Sequence, residues 1–467
     1  MTAKPRRMLT RLFGARPVRR LASASALWLV LVVVAGLVGA LAAGHVWIGL
    51  ALAAVVLVVG VLIADPMLLV VMALPGALLI QRVGGASTNL SLADLLVFLA
   101  GLVCLFQARW RLAHHLKQFM RGVLWYQAVL ILVVVVHPFR FNIVDWFHRF
   151  SFLAASALVG WVIATEGRTR QAFRLYLAGS SVVALIAMEH AVTLHFQPAQ
   201  WGVYQKNSIG AILWVAVVIA QINPPWTGIG RSEARVNKYL CLGGLLASQS
   251  RQSWILLMLA LGLALFLNPE FRGRSKLIVA SAVPVAAVLY YSFSVNARNN
   301  PKFNSVSIRF DQIGAAIHVW HLSPIFGQGM RFYNLPQFIT VTAPPNVVID
   351  NLASTGIVGS LAFVFLVFVT MQTMLRLPRA LGTLGLVVLF GHYVDGLFDI
   401  FWIGVTSIGP IIIAGVSLGM ADLDRLRTAP GRSDPGRSDP GRQDAGRQDE
   451  GRPAAGPPGL RSLLSAR

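Results

Sequence analysis

Apolar stretches long enough to cross a membrane recur along most of the chain, and this feature limits the possible folds more than any other. The first stretch begins at Ala26, and further apolar runs follow it closely. A helix needs about 20 mainly apolar residues to cross the hydrocarbon core of a bilayer. Only 12% of the residues are charged, whereas soluble domains carry about 25%. The sequence therefore predicts an all-α, polytopic membrane protein.

The apolar runs divide into about 12–14 transmembrane helices of ordinary length. The segment 236–249 is short for a full crossing and could be re-entrant, but we keep it as a crossing because the charge pattern below requires it. The predicted spans cover residues 26–44, 47–64, 66–83, 91–107, 121–137, 151–165, 173–192, 207–222, 236–249, 251–268, 276–294, 351–374, 380–398 and 401–420.

Basic residues predict the orientation of these spans. They are concentrated before the first span, in the loops after the fourth, sixth, eighth, tenth and twelfth spans, and in the C-terminal tail. All these segments fall on one side, which the positive-inside rule makes cytoplasmic. The formal net charge of +22 then fits loops that touch anionic lipid headgroups, and we predict membrane lipids but no nucleic acid as partners.

The spans and loops give five regions in the predicted organisation. One region is the only long loop between predicted spans, and this topology places it outside. The last region is a Gly- and Pro-rich tail with GRSDP-like repeats, which cannot form a packed core. The regions are a basic cytoplasmic N-terminus (1–25), transmembrane helices (26–294), an outer catalytic loop (295–350), C-terminal transmembrane helices (351–420) and a disordered cytoplasmic tail (421–467).

The long outer loop has the pattern of an ordered segment. Its stretch SVSIRFDQIGAAIHVW predicts a short helix with an apolar face formed by Ile308, Ile313, Ile317 and Trp320. The stretch SPIFGQGMRFY follows, in which a Gly-x-Gly turn precedes Arg331. A loop of this length in a compact protein is usually functional or disordered, and the helical pattern favours function.

Four cations gather on the predicted outer side of the membrane. Lys206 lies in YQKNSIG, Arg251 in SQSRQSW, Arg309 in the loop helix, and Arg331 after the glycine turn. The planar fork of arginine suits phosphate and diphosphate groups. These cations predict a site for an anionic lipid-linked group, although outer arginines can also simply lie among lipid headgroups.

The order of these motifs resembles the O-antigen ligase and polymerase superfamily of bacterial membrane glycosyltransferases. The resemblance extends from about Ser91 to Gly419 and is carried by LSLADLL, QKNSIG, SQSRQSW, SIRFDQIGAAIHVW, SPIFGQGMRFY and NVVIDNLASTGIVGSLAF. It implies a GT-C-like helical fold in the bacterial inner membrane, with both termini cytoplasmic. It also implies an inverting, metal-independent transfer from a polyprenyl-diphosphate-linked glycan donor to a hydroxyl of a glycan or lipid acceptor outside. Ligase and polymerase both fit.

The resemblance also implies roles for particular residues. The arginine of the Ser-Arg turn and the arginine of the loop helix hold the diphosphate in this family, and by position these are Arg251 and Arg309. Fixed cations stabilise the charge that builds on such a leaving group. The predicted substrate-binding residues are Lys206, Asn207, Arg331 and Asn346.

The catalytic base is the point at which the sequence departs from the family. The ligases carry a His-Asn pair just before the span that follows the loop, whereas this chain has Pro345-Asn346. Asp350, His318 and His321 are the predicted substitutes for that histidine. Asp311, which follows the loop arginine, is a further candidate, and an enzyme that relies on activation of the donor alone is the remaining alternative. Asp350 could instead cap the following helix, since aspartate is a good N-cap residue.

Two competing interpretations remain. A metal-dependent sugar transferase would need an outer pair of carboxylates, but the one Asp-x-Asp, Asp422 to Asp424, falls on the cytoplasmic side. We therefore predict no metal and no cofactor. The second is a lipid-linked glycan transporter or flippase, which would be expected to show inverted repeats. No clear repeat is visible, and the ordered outer loop favours the enzyme.

Overall fold

The computed structural model describes residues 59–60, 64–83, 90–267, 305–399 and 405–428. The predicted spans 26–44 and 276–294, most of 47–64, the start of the long loop and most of the tail lie outside these residues. The regular secondary structure of the described part is helical except for one antiparallel pair of two-residue strands, β1 (Arg82–Val83) and β2 (Leu90–Ser91), and an isolated bridge between Trp201 and Tyr204. The all-α fold class is thereby confirmed.

Thirteen α-helices are numbered here in chain order within the described residues. A π-helix at Ser151–Ala155 joins the fourth to the fifth, so that they form one continuous rod. The helices are α1 (Pro66–Gly76), α2 (Leu92–Gln107), α3 (His114–Val136), α4 (Arg140–Phe150), α5 (Ser156–Thr165), α6 (Thr169–Thr193), α7 (Lys206–Ile222), α8 (Arg231–Ser248), α9 (Arg251–Leu267), α10 (Ser305–Leu322), α11 (Val347–Leu375), α12 (Arg379–Asp395) and α13 (Ile408–Thr428).

Four of these rods are long and apolar enough to cross a membrane, counting only the described residues. They are α3, the combined α4–α5 rod, α6 and α11. Shorter apolar helices, α1, α2, α7 and α9, accompany them. The chain is therefore an integral membrane protein, as the apolar runs predict.

Most of the predicted spans that fall within the described residues coincide with a helix, and one does not. The predicted span 66–83 is wrong beyond Gly76, where α1 ends and the chain turns into β1. Pro75 lies in the last turn of α1, where it removes the backbone hydrogen bond to residue 71. The amides of Leu78 and Leu79 then donate only three residues back, to the carbonyls of Pro75 and Gly76. The short segment 236–249 belongs to a longer helix, α8, which begins at Arg231 in the preceding basic stretch.

Helix α7 forms the centre of the packed core. Its residues from Ile209 to Ala220 are buried throughout, and α7 contacts α6, α8, α9 and α12. Small residues allow close packing around it: a Cβ at Gly244 of α8 would lie 2.6 Å from the Cα of Ala184 on α6. The beginning of α7 is thereby fixed with respect to the beginning of α9 and the end of α12.

Helix α11 is interrupted within its first three turns. Gly356 has φ 64° and ψ −164°, a backbone conformation that breaks the helical path. The segment Ser323–Arg331, here called the wedge, lies against this break. The amide groups of Ile357 and Val358 donate to the carbonyls of Pro324 (2.9 Å) and Ile325 (3.2 Å) in the wedge. The wedge thus accepts the hydrogen bonds that the interrupted helix cannot make internally.

The loop helix α10 is confirmed at Ser305–Leu322, but its predicted apolar face is wrong at Ile308 and Ile317, whereas Ile313 and Trp320 are half-buried. Ile308 and Ile317 are exposed, and the buried positions are Ala316 and Val319, which pack against Ala353 of α11. Small residues allow α10 to approach α11 closely, so they take the inward face. The larger apolar side chains are left on the outside, which suits contact with lipid.

Candidate functional site

The turn of SQSRQSW joins α8 to α9 and packs directly on α7. Gln249 has a left-handed φ of 53°, which reverses the chain between the two helices. The hydroxyl groups of Ser250 and Ser253 lie 2.9 Å apart. A Cβ at Gly210 of α7 would be 2.2 Å from the Ser253 hydroxyl, so only glycine permits this approach. Arg251, the first residue of α9, is held at the beginning of α7.

Three of the predicted cations influence one another at this place. Lys206 is the first residue of α7 and lies just before the predicted span 207–222. Burial, and then the positive charges of Arg251 and Arg309, hold the pKa of Lys206 below its usual value. Helices α7 and α9 both begin here, and the N-terminal end of a helix favours anions. The arrangement concentrates positive charge at one point.

A carboxylate, Asp399, accompanies these cations. Its Oδ2 lies 3.9 Å from the Nη2 of Arg309 and accepts a 2.9 Å hydrogen bond from the side-chain amide of Asn207. The carbonyl oxygen of Asn207 in turn accepts a long, 3.4 Å hydrogen bond from the Ser250 hydroxyl. Asp399 therefore connects the loop helix to the beginning of α7 and to the SQSRQSW turn. We call Lys206, Asn207, Arg251, Arg309 and Asp399 the cation site.

A second contact fastens the turn to α12. The side-chain amide of Gln252 donates to the backbone carbonyl of Asp395 at 3.3 Å and to the Asp395 carboxylate. Immediately after Asp395, the carbonyl of Gly396 accepts a 2.7 Å hydrogen bond from Val347 at the beginning of α11. The ends of α9, α11 and α12 next to the cation site are thus joined by hydrogen bonds.

A separate group of charged side chains lies inside the helix bundle. Asp145 accepts hydrogen bonds from the Nε of Arg149 at 2.8 Å and from the Nε of Arg331 at 2.6 Å. The Nη2 of Arg149 lies 3.7 Å from the Oδ2 of Asp350. All four side chains are at most 5% exposed. Buried charges need such partners, because leaving one unpaired in a low-dielectric interior costs several kcal/mol.

Part of the chain matches a known protein family. Residues 236–364 match the model of the O-antigen ligase family. This segment of the chain is similar to O-antigen ligases. No curated protein matches the chain. The match confirms the recognition made from the sequence motifs, and it covers the SQSRQSW turn, the loop helix α10 and the beginning of α11.

The cation site draws on residues inside and outside the segment that matches the O-antigen ligase family. Arg251 and Arg309 fall within the matched segment, whereas Lys206 and Asn207 precede it and Asp399 follows it. The matched segment alone therefore does not contain the whole site.

The structure separates the predicted site residues into groups. It brings Lys206, Asn207, Arg251 and Arg309 together. Arg331, which we predicted to bind substrate, is 2% exposed and pairs with Asp145 in the interior.

Asp350, one of the predicted bases, belongs to the same interior group as Arg331. Its interpretation as a helix cap is wrong, because Asn346 caps α11 by accepting hydrogen bonds from the amides of Val348 and Ile349. The Asn346 side chain also donates to the carbonyl of Leu397 at 2.9 Å. Asn346 thus connects α11 to the segment that leads to Asp399.

The two histidines lie towards the far end of the loop helix. His318 and His321 are both exposed on α10, and the His321 ring lies 5.1 Å from the ring of Trp320. They follow Arg309 by nine and twelve residues, so they lie about 14 Å and 18 Å from it along the helix axis. Their position along α10 does not favour contact with the group that Arg309 holds.

Asp399 is the residue of the cation site that sequence reasoning did not select. It ends GHYVDGLFD, after a predicted span, and the only signal available was that this end falls on the same predicted side as Arg251. The Nη2 of Arg309 and the amide of Asn207 identify it in the structure.

Proposed function

We propose that this protein is a glycosyltransferase that moves a glycan from a polyprenyl-diphosphate carrier to a hydroxyl acceptor on the outer side of the bacterial inner membrane. The observation that carries the proposal is the convergence of Lys206, Arg251 and Arg309 at the beginnings of two helices. The O-antigen ligase match supports the general class of reaction. Donor, acceptor, sidedness and stereochemistry are parts of the proposal.

The cation site suits a diphosphate that joins a sugar to a lipid. Arginine donates two parallel hydrogen bonds to phosphate oxygens, and the amide groups at the N-terminal end of a helix add further donors. Burial is the main reason that the pKa of Lys206 is lowered, and the positive charges of Arg251 and Arg309 lower it further, so these cations repel one another. A bound diphosphate relieves that repulsion, which favours its binding.

Transfer then proceeds as a displacement at the anomeric carbon. The acceptor oxygen attacks from the side opposite the diphosphate, the bond from carbon to the diphosphate oxygen breaks, and its electron pair leaves with the diphosphate. Attack from the opposite side inverts the configuration. Arg251 and Arg309 stabilise the negative charge that grows on the leaving group.

The proton of the acceptor hydroxyl needs a base, and we assign this role to Asp399. Its carboxylate lies beside Arg309 and Asn207, whereas Asp350 is paired with Arg149 in the interior. When a diphosphate takes over the guanidinium of Arg309, the carboxylate of Asp399 stays beside it on the amide of Asn207 and accepts the proton. A positioned base contributes about 10²–10⁴-fold to a rate.

The test is glycan transfer by the purified protein with a polyprenyl-diphosphate-linked glycan and a hydroxyl acceptor. We expect Arg251→Ala and Arg309→Ala each to lower the turnover at least about 100-fold, as loss of one transition-state donor does. Asp399→Asn should lower it by a similar factor. The matched control is Arg140→Ala, which removes an exposed arginine on the predicted outer side and should leave turnover unchanged.

Membrane insertion of each variant, measured by its yield in detergent extracts, must remain at the level of the wild type. Unchanged turnover in both arginine variants would refute the proposal. Movement of the intact lipid-linked glycan across vesicles without any transfer would assign the protein to the transporters instead.

A further inference from the structure

The wedge, Ser323–Arg331, is fixed to two transmembrane rods by hydrogen bonds of several kinds. On the α11 side, the amide of Gln328 donates to the carbonyl of Ala353 at 2.9 Å, in addition to the two bonds at the helix break. On the other side, the Oδ1 of Asn142 accepts from the amide of Met330 at 3.0 Å, and the Nε2 of His137 lies 2.9 Å from the carbonyl of Gly327. The wedge therefore bridges α11 and the outer end of the α4–α5 rod.

Arg331 ends the wedge and fastens it through charge. Its backbone adopts a left-handed φ of 58°, and its side chain enters the interior to pair with Asp145 at 2.6 Å. The Nη2 of Arg331 also lies 3.4 Å from the Nδ1 of His148. Because a guanidinium can only donate, this contact makes that nitrogen of His148 an acceptor. The side chain is thus held at two of its nitrogens.

The wedge follows the loop helix without any linker. Helix α10 ends at Leu322 and the wedge begins at Ser323, while the indole of Trp320 donates to the carbonyl of Pro324 at 3.1 Å. Packing of Ala316 and Val319 also fixes the C-terminal half of α10. The anchored end of α10 is therefore the end next to the wedge.

Arg309 lies at the opposite end of this helix. It precedes Leu322 by thirteen residues, which corresponds to about 20 Å along the axis. A tilt of about 10° at the anchored end would move Arg309 by about 3–4 Å over such a length. That displacement is as large as the 3.9 Å separation between Arg309 and Asp399. The position of Arg309 is therefore sensitive to the anchor.

We propose that Arg331 is a positioning residue, which through its ion pair with Asp145 sets where α10 places Arg309 in the cation site. This inference rests on the proposed function only in the role that it gives to Arg309. It assigns to Arg331 a task other than substrate contact. If Arg309 acts mainly on charge that develops in the transition state, its displacement lowers kcat more than it raises the KM for the donor.

The experiment measures the position of α10 directly. Spin labels are attached at Asp311→Cys, which is exposed beside Arg309, and at Leu246→Cys, which is exposed on α8, in a chain whose native cysteines are replaced by serine. We expect Arg331→Gln to shift or broaden the distance distribution by about 3 Å, from the lever length above. His137→Ala should shift it less. Arg140→Gln, a matched control on α4, should leave it unchanged.

Two features make the outcome decisive. In Arg331→Gln, Asp145 keeps its 2.8 Å contact with Arg149. His137→Ala removes one hydrogen bond without burying a charge. The result for His137→Ala therefore decides the question if Arg331→Gln does not fold. An unchanged distribution in the folded variants overturns the positioning role.

The distance measurement needs no turnover, and this separates the two proposals. A shifted distribution in a protein that transfers no glycan would refute the proposed function and leave the positioning role intact. Normal transfer with normal kcat in Arg331→Gln, together with an unshifted distribution, would refute the positioning role alone.

Discussion

The break in α11 gives the sharpest prediction, because it depends on a single missing methyl group. A Cβ at Gly356 would lie 2.2 Å from the carbonyl oxygen of Ile325 and 2.6 Å from the amide nitrogen of Gly327. Ordinary contact begins at 3.4 Å, so in Gly356→Ala the wedge must retreat by about 1 Å. The retreat weakens the hydrogen bonds from Ile357 and Val358 to the wedge.

The expected loss of stability follows from two terms. A residue other than glycine at φ 64° and ψ −164° costs about 1–3 kcal/mol of backbone strain. A buried amide that loses its acceptor costs a further 1–3 kcal/mol or so. We therefore expect Gly356→Ala to lower the free energy of unfolding by about 2–6 kcal/mol, measured by detergent-driven unfolding of the purified protein in mixed micelles.

The matched control is a second Gly→Ala change in the loop helix. Gly314 has no atom within 4 Å of its would-be Cβ, and alanine is the better helix former by about 1 kcal/mol. Gly314→Ala should therefore keep or slightly raise the stability. Equal stability of Gly356→Ala and the wild type would show that the wedge does not occupy the break as described.

Three further outcomes are expected. In intact cells, His318→Cys should react with a membrane-impermeant maleimide, whereas Lys117→Cys should react only after permeabilisation; the reverse result would invert the orientation. A bound diphosphate would raise the lowered pKa of Lys206, because its negative charge stabilises the protonated amine. Donor affinity, measured by titration at several pH values, should therefore fall as the pH rises through that lowered pKa; a pH-independent affinity would place the diphosphate elsewhere. Asn346→Ala removes the cap of α11 and should lower the unfolding free energy by about 1 kcal/mol, while Asn346→Asp should retain most of it in the same unfolding assay.

The sequence was informative where one physical factor decides the outcome. Apolar composition and length determine which segments become membrane helices, so α6 and α11 could be located closely. The alternation of basic loops put the beginnings of α7 and α9 on one side, which predicted that Lys206 and Arg251 could meet. Because Arg309 lies in a helical pattern within the predicted outer loop, the sequence also predicted that Arg309 could join Lys206 and Arg251.

The rest depended on contacts between distant parts of the chain. Asp399 joins Asn207, which lies 192 positions away, and no local pattern carries that information. Arg331 and Arg309 look alike in sequence, as single arginines in one loop, yet the first is buried against Asp145 and the second is about one-third exposed. The left-handed backbone of Arg331 and the packing of the wedge distinguish this structural arginine from Arg309, which can contact a ligand.

The distribution of the cation site along the chain limits how such proteins can be recombined. An exchange of residues 236–364 between two relatives would import Arg251 and Arg309 but retain the host's counterparts of Lys206, Asn207 and Asp399. The imported loop helix would then face a carboxylate and an amide to which its length and tilt are not matched. A chimera that is meant to carry over donor preference should therefore exchange the whole interval from Lys206 to Asp399.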